Sequence, residues 1–459
     1  MMYSKELKLF ASADIVVCGG GTAGAFAAIA AAEQGADVLL IEQFGSLGGT
    51  ATNGLVVPVM HSHIDGDPGS SYLTLKLAAR LSAKGKASGT NGRDFDPMAL
   101  AFELEKMCTE AGVKLLYHTF IADVIKSGDD IVSLVIANKA GLSRVDGKIF
   151  IDATGDGDVS VLAGAEYSKG NPETGVNQPV SLRYIVSGID KKALGEFAKA
   201  HEAEKGITNG RTSYVPPYYF YSAVTSSGVW TFTDIFDEAI ANGDLTEQDK
   251  CYWQVFTMPG RNDSLAFNNP EFFDDCDATD PEQMTRIQVR GKEAIARQMA
   301  FYKKYLKGFD NAYVSDIAAM VGVRESRNIV CDHVLTAVEL LAKAKFDDAI
   351  AQSNYPVDIH GKQLNCKMVP PVDDKPFYEI PYRALIVKGI GNLMVAGRCL
   401  GAEFLAQSSL RVMLSVRSSG EAAGIGSAMA LKNGVSVHDI NGADVRSEMI
   451  SRGAVFVEK

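Results

Sequence analysis

The sequence predicts an α/β fold: a parallel sheet with an additional antiparallel β-meander, and an α+β region inserted between the two parts of the sheet domain. Three observations predict it. A strand–glycine turn–helix–strand unit runs from Asp14 to Glu42. Four more strand-like runs lie between Val113 and Ile151. A further buried strand, Asn392 to Ala396, precedes a long small-residue helix near the C-terminal end.

Asp14 to Cys18 is short, apolar and β-branched, as a buried parallel strand is. Gly19, Gly21 and Gly24 follow at G-x-G-x-x-G spacing. Ala23 to Gln34 is rich in alanine, a strong helix former, and Gly35 stands where a helix-ending glycine belongs. Val38 to Ile41 is the second strand, and Glu42 closes the unit 18 residues after Gly24. Each glycine has a physical task. Gly19 permits a tight turn, Gly21 lets backbone approach a pyrophosphate, and Gly24 lets helix and strand pack closely. The helix N-terminus offers free N–H groups to that anion. Glu42 can accept hydrogen bonds from ribose hydroxyls and would repel a 2′-phosphate. With its flanking strand, helix and acid, the motif predicts a Rossmann-like dinucleotide site.

Gly45 to Gly54 forms a polar, glycine-rich loop placed to wrap the rest of a long cofactor. Leu55 to Met60 is apolar. His61 and His63 follow, and joint metal ligation by this pair is not expected. Asp96-Pro97 reads as an N-cap with proline at the first helical position, for a helix to about Ala111. Val113–Tyr117, Phe120–Ile125, Ile131–Asn138 and Lys148–Ile151 read as strands. Asp152 to Asp158, DATGDGD, is a second place for backbone to press on a cofactor.

Asn171 to Gln178 changes character and marks a domain crossing. Pro179–Ile185 resumes as a strand bearing Arg183. Ile189 to Asp280 reads as irregular and aromatic-rich. Pro281–Leu306 is a helical pattern whose charges suit a solvated face. In VGVRESRN, Val321 to Asn328, Arg324 suits either a bound carboxylate or a structural ion pair. In YPVDIH, Asp358 and His360 stand two apart on an extended segment, an arrangement in which an acid can orient an imidazole. Ala384–Val387 and Asn392–Ala396 read as strands, and Ser408 or Ser409 as the cap of a helix to about Lys432. Its glycines and alanines predict close packing on the Ala23–Gln34 helix.

Composition narrows the function. A net charge of −11 disfavours nucleic acid and anionic membranes as partners. The seven cysteines are scattered, without a C-x-x-C or zinc spacing, so reduced thiols and a cytoplasmic location are expected, with no metal site. No signal-peptide h-region and no membrane-spanning run is expected.

Taken together, GGGTAG at Gly19–Gly24, Glu42, GGTATNGLV at Gly48–Val56, DATGDGD, VGVRESR, YPVDIH, IPYR at Ile380–Arg383 and NLMVAGRCLGA through SLRVM at Asn392–Met413 resemble the FAD-dependent oxidoreductase family related to the fumarate reductase and succinate dehydrogenase flavoproteins. The resemblance covers most of Ile15–Asn433 and is weakest over Ile189–Asp280. It implies a glutathione-reductase-like FAD domain in two parts, residues 1–170 and 381–459, around a substrate or cap domain at 171–380. It implies FAD held by Gly19, Gly21, Thr22, Ala23 and Gly24 at the pyrophosphate. Glu42 and Gln43 would hold the ribose, and Ile121 the adenine. Gly48, Gly49 and Thr50 would lie along the ribityl and flavin, with Ala153, Gly155, Gly397 and Arg398 against the cofactor. Ser409, Leu410, Arg411, Val412 and Met413 would face the flavin's pyrimidine end. Arg398 stands where many flavoproteins carry aspartate, although arginine is usual in this family. The capping-domain dicarboxylate site of the succinate and fumarate enzymes has no match in Ile189–Asp280.

The implied activity is hydride transfer between a small organic substrate and flavin N5. The proton-moving candidates are His360 with Asp358, then Arg324, then His61. A sugar or alcohol dehydrogenase and a double-bond reductase clamped by Arg183 and Arg324 stay open. A non-catalytic electron-relay subunit is disfavoured, because no cysteine cluster offers an iron–sulfur centre. An electron donor or acceptor is required, and a homo-oligomer is compatible with the reading.

Overall fold

The computed structural model describes residues 4, 6–226, 228–274, 276–360 and 377–458. Cys366, one of the seven thiols, lies outside them. The core is a seven-stranded sheet. Leu9–Cys18 sits at its centre, parallel to Val38–Ile41 on one side and to Gly141–Asp152 on the other. Lys114–Leu116 extends the first edge in parallel. The Gly141–Asp152 strand divides its other edge. Its first half pairs antiparallel with Asp130–Asn138, which continues to Phe120–Ser127, and its last residues pair parallel with Leu393–Val395. The antiparallel meander and the C-terminal strand thus share one partner. Strands at the centre are buried on both faces, which is why they read as continuous apolar runs.

Two helices lie against one another on this sheet. Gly24–Glu33 is almost wholly buried. Met413–Asn433 packs on it through small residues: a Cβ on Gly420 would overlap the Ala23 carbonyl, and one on Gly424 the Ala27 carbonyl. Close packing of these two helices is what the glycine pattern predicts. The C-terminal helix differs at its start. Ser408 and Ser409 do not cap it. They lie inside a separate helix, Phe404–Leu410, and the chain breaks at Arg411–Val412 before Met413. Both hydroxyls are engaged elsewhere: Ser408 donates to the Leu405 carbonyl at 2.7 Å and Ser409 to the Tyr355 carbonyl.

The inserted region has its own six-stranded sheet, in the order Ser213–Val215, Tyr219–Thr225, Tyr252–Thr257, Leu265–Phe267, Tyr184–Ser187, Tyr313–Ile317. The 189–280 stretch is therefore structured, not irregular. Its strands are short and mostly pair antiparallel over long sequence separations, so no local period announces them. Lys191–Lys205 and Pro281–Tyr305 are its long helices, each capped by a preceding aspartate, Asp190 and Asp280. Trp253, Tyr184, Tyr302 and Phe267 fill its centre.

The expected Pro179–Ile185 strand is broken at Leu182–Arg183. Val180–Ser181 pairs with Glu271–Phe272, while Tyr184 onward joins the inserted sheet. The insertion's sheet ends at Ile317. Arg327–Ile329 then pairs with Tyr167–Lys169, and Ala349–Ser353 with Tyr378–Pro381. The expected Ala384–Val387 strand is largely a 3-10 turn, Tyr382–Leu385, tied by Asp348 to the Tyr382 N–H at 2.8 Å and to Arg383 at 2.9 Å. The Leu55–His63 segment is not a strand, and Leu55 and His63 have positive φ. The His61 and His63 rings meet edge to face at 6.4 Å.

Candidate functional site

A cleft with about 1700 Å³ of empty space, its open mouth included, has walls drawn from both sheets. One wall is the turn after the central strand. Gly19 has φ of +94°, and a Cβ there would stand 2.6 Å from the Ala153 carbonyl oxygen. A Cβ on Gly24 would overlap the Gly19 carbonyl. Only glycine lets the turn, the helix and the DATGDGD strand end meet so closely. At Gly21 a Cβ would find nothing nearer than 4.0 Å, so that backbone borders open space.

Two helix N-termini reach this cleft: Ala23 precedes one and Val412 the other, and neither has a side-chain cap. First-turn N–H groups have no intrahelical acceptor. Uncapped, they suit an anionic group, and the macrodipole adds to that preference. Glu42 borders the cleft too. One carboxylate oxygen accepts from the Gly20 N–H at 2.7 Å and the other from the Phe44 N–H at 2.8 Å, with lone pairs left for hydroxyls. Burial raises its pKa against these hydrogen bonds. A glycine turn a side chain would fill, an uncapped helix start and a buried acid fit an adenine dinucleotide.

Most residues expected at FAD line the cleft: Gly19, Gly21, Thr22, Ala23, Glu42, Gln43, Gly49, Thr50, Ile121, Ala153, Gly155, Gly397, Arg398, Arg411, Val412 and Met413. Four others stand behind its wall. Gly24 packs the turn, and the Gly48 N–H donates to the Gly20 carbonyl at 2.8 Å. Leu410 is core, and Ser409 pins the Tyr355 backbone. Arg398 is half-buried and paired with Asp156. Asp158, also on the cleft, has its pKa pushed up to about 6 by burial and by Asp156 and Asp152, despite Arg327 and Arg398.

The opposite wall gathers charged side chains from segments far apart in sequence. Glu271 Oε1 lies 2.7 Å from Arg324 Nη2 and 2.9 Å from His360 Nδ1. His360 Nε2 lies 3.3 Å from Asp358, whose other oxygen meets Arg411 at 3.2 Å and the Tyr355 hydroxyl at 3.3 Å. Tyr252 packs edge to face on the imidazole, with ring centres 5.1 Å apart. Arg324 also donates to the Pro179 carbonyl at 2.8 Å. His360 is thus held by a carboxylate at each ring nitrogen. Burial and Arg324 act to lower its pKa, but Glu271 and Asp358 outweigh them and it stands above the ordinary value. Burial acts to raise Asp358, yet His360 and Arg411 hold it well below the usual carboxylate range. Glu271 is likewise lowered: burial opposes the shift, and Arg324 and His360 drive it.

Arg324 and the Asp358–His360 pair therefore meet in one network. His61 does not join it. Its Nδ1 is 2.8 Å from Asp67, its Nε2 meets Arg93, and it is not among the cleft-lining residues. Sequence reasoning missed Glu271, Tyr252, Gln254 and Asn268. Glu271 opens the acidic stretch EFFDD, which resembles a solvated surface run. Its one signal is the phenylalanine pair beside it, typical of a buried strand.

A family model described as FAD dependent oxidoreductase matches residues 14–449. No curated protein matches the sequence. Among solved structures, the myxobacterial chondrochloren halogenase CndH is similar at 12% identity, with 96% of this chain and 79% of that one covered and a TM-score of 0.47. The flavin-dependent brominase Bmp2 is similar at 15% identity, covering 96% and 83%, with a TM-score of 0.45. The p-nitrophenol 4-monooxygenase PnpA from Pseudomonas putida is similar at 12% identity, covering 97% and 87%, with a TM-score of 0.43. Among the described residues no helix is long and apolar enough to cross a membrane.

Proposed function

The chain belongs to the FAD-dependent oxidoreductase family, and on that premise we propose that it transfers a hydride between a small organic substrate and flavin N5, with His360 moving the accompanying proton. The observation that carries the reading is the seat of His360 between Glu271 and Asp358, in the same cleft as the glycine turn and the two uncapped helix starts. FAD, when bound, supplies a centre that takes up or gives two electrons. The protein does the rest. The Gly19–Gly24 turn and Glu42 would hold the dinucleotide. Arg411 keeps Asp358 ionised, and Arg324 does the same for Glu271. Those two carboxylates raise the pKa of the imidazole and so favour its protonated form. A protonated imidazole at the cleft suits a proton donor more than a base. The favoured direction is therefore reduction of a double bond: hydride arrives at one atom, and the His360 proton at the other. Solvent at the cleft mouth returns that proton. An external electron donor is part of the proposal.

The test starts from protein reconstituted with FAD and reduced by dithionite without oxygen. Stopped-flow absorbance then follows flavin reoxidation by a panel of unsaturated acids, ketones and imines. At least one should reoxidise the wild-type flavin, and His360→Gln should slow that step by about a hundredfold or more. Equal rates in the two proteins would reject the proton role. No flavin band after reconstitution would remove the premise.

A further inference from the structure

Among the described residues, the cations and anions on the charged wall of the cleft do not balance. Arg324 faces Glu271, and Arg411 faces Asp358, with His360 set between the same two carboxylates. Arg183 is left over. It is 5% exposed, lines the cleft, and has no ion-pair partner among the described residues.

Its surroundings are polar but neutral. The Arg183 Nε–H donates to Asn268 Oδ1. Asn268 donates to the Tyr252 hydroxyl at 2.8 Å, and Tyr252 in turn donates to Gln254 at 2.6 Å. This relay fixes the plane of the guanidinium without cancelling its charge. The backbone makes room for it as well. A Cβ on Gly322 would collide with Arg183 Nη1, so the absence of a side chain there is what admits the guanidinium. Burial and the neighbouring Arg324 pull the Arg183 pKa down to about 9, which still leaves it charged at neutral pH. A buried cation without a counter-ion is costly. A built, oriented and uncompensated one is a receptor for an anion.

We infer that the substrate of this site is a small organic carboxylate, clamped by Arg183 through its guanidinium, on the His360 side of the cleft. This deepens the reading above and rests on it for the site. With His360 protonated, Arg183, Arg324, Arg411 and His360 face only Glu271 and Asp358, so the described side chains leave an excess of positive charge for an anion. The planar donor fork matches a carboxylate. Phe256 and Met320 on the same cleft supply apolar contact for the body of an organic acid.

Binding tests it without turnover. FAD-reconstituted, oxidised protein is titrated at pH 7 with benzoate and crotonate, read by flavin difference spectra and calorimetry. The wild type should bind at least one of them, and Arg183→Met should weaken that binding at least about thirtyfold, as expected when one partner of a buried charge pair is removed. Arg183→Lys should fall between the two, because it keeps the charge and loses the fork. A second measurement needs no variant: the wild type should bind benzamide and crotonamide far more weakly than the acids. Equal affinity for amide and acid overturns the inference. So does tighter binding of inorganic phosphate, or an Arg183→Met protein that shifts the flavin midpoint potential while keeping carboxylate affinity. If carboxylates bind but no hydride transfer is found, the reaction assignment fails and the carboxylate site stands.

Discussion

The two walls of the cleft are built in opposite ways. The dinucleotide wall is made of backbone: a glycine turn, two helix starts and one acid, much of it inside the continuous segment Asp14–Glu42. The charged wall is made of side chains, from Arg183, Tyr252, Glu271, Arg324 and His360 of the inserted region and from Arg411 of the C-terminal part, each on a different segment. Backbone sites tolerate few residue types and resist tuning. Side-chain sites can be retuned one residue at a time. The difference predicts how each wall fails.

The largest effect belongs to the backbone wall. Gly24→Val would drive a side chain into the Gly19 carbonyl and part the helix from the turn. The expected result is a protein that retains FAD at least about a hundredfold less tightly, or does not fold, since loss of a close backbone contact removes the whole pyrophosphate seat. Flavin absorbance against protein concentration after gel filtration checks it. Full flavin occupancy would end the claim that this wall is steric.

On the side-chain wall the deepest cut is Glu271→Gln. It leaves Arg324 and His360 facing a neutral amide inside the protein. Removing one member of a buried pair costs about 3–5 kcal/mol. Urea unfolding should show a loss of that order, with flavin still bound at saturating FAD. An unchanged midpoint would mean that Glu271 does not organise the wall.

The same contrast explains what was legible in sequence. Asp14–Glu42 could be read because the G-x-G-x-x-G spacing, the alanine helix and Glu42 lie in one short stretch with one physical purpose. The Gly420 and Gly424 packing was legible from small residues at helical spacing. The Asp358–His360 pairing was legible because the two stand two residues apart. Glu271 was not, because nothing local ties it to Arg324 or His360; strand pairing of Val180–Ser181 with Glu271–Phe272 brings it there. The Arg411–Val412 break was hidden for a similar reason. Ser408 and Ser409 look like caps until Leu405 and Tyr355 are seen to take their hydroxyls.

A moderate effect is expected from pH, and only through the side-chain wall. His360 has a folded-state pKa raised above the ordinary value near 6.5. Its protonated form is bound more tightly by the folded state, so its contribution is full below the unfolded pKa. That contribution fades as pH rises through the folded value. Glu271 and Asp358 have lowered pKa values, so theirs is present above the ordinary carboxylate range and fades only in acid. The groups facing His360 are Arg324, Glu271, Asp358 and Tyr252. Denaturant unfolding of wild type and His360→Gln, compared from pH 5.5 to 9, should show the stability gap narrowing as pH rises. A gap that widens with pH would reverse the assigned charge state.

A smaller effect is expected at Glu42→Gln. The amide keeps one acceptor for the Gly20 or Phe44 N–H and loses the charge-assisted bonds to a ribose. Hydrogen bonds to a charged group contribute about 1.5–3 kcal/mol, so FAD affinity should fall by roughly ten- to a hundredfold. Fluorescence titration of the apoprotein with FAD measures it.

The smallest effect is expected at His61, and it sharpens the boundary between the walls. Sequence puts this histidine just after the cofactor loop, near enough to be a proton-transfer candidate. In the folded chain its two nitrogens face Asp67 and Arg93, and its side chain is 40% exposed. A partly exposed His–Asp pair contributes at most about 1 kcal/mol, so His61→Ala should barely move the unfolding midpoint. Flavin reoxidation by any substrate that responds to His360→Gln should stay within about twofold of wild type, because a group outside the cleft moves no proton in the transition state. A loss near that of His360→Gln would place His61 at the reacting atoms. The cleft would then have to open toward Asp67, and the charged wall on the far side would no longer be the only side-chain machinery of the site.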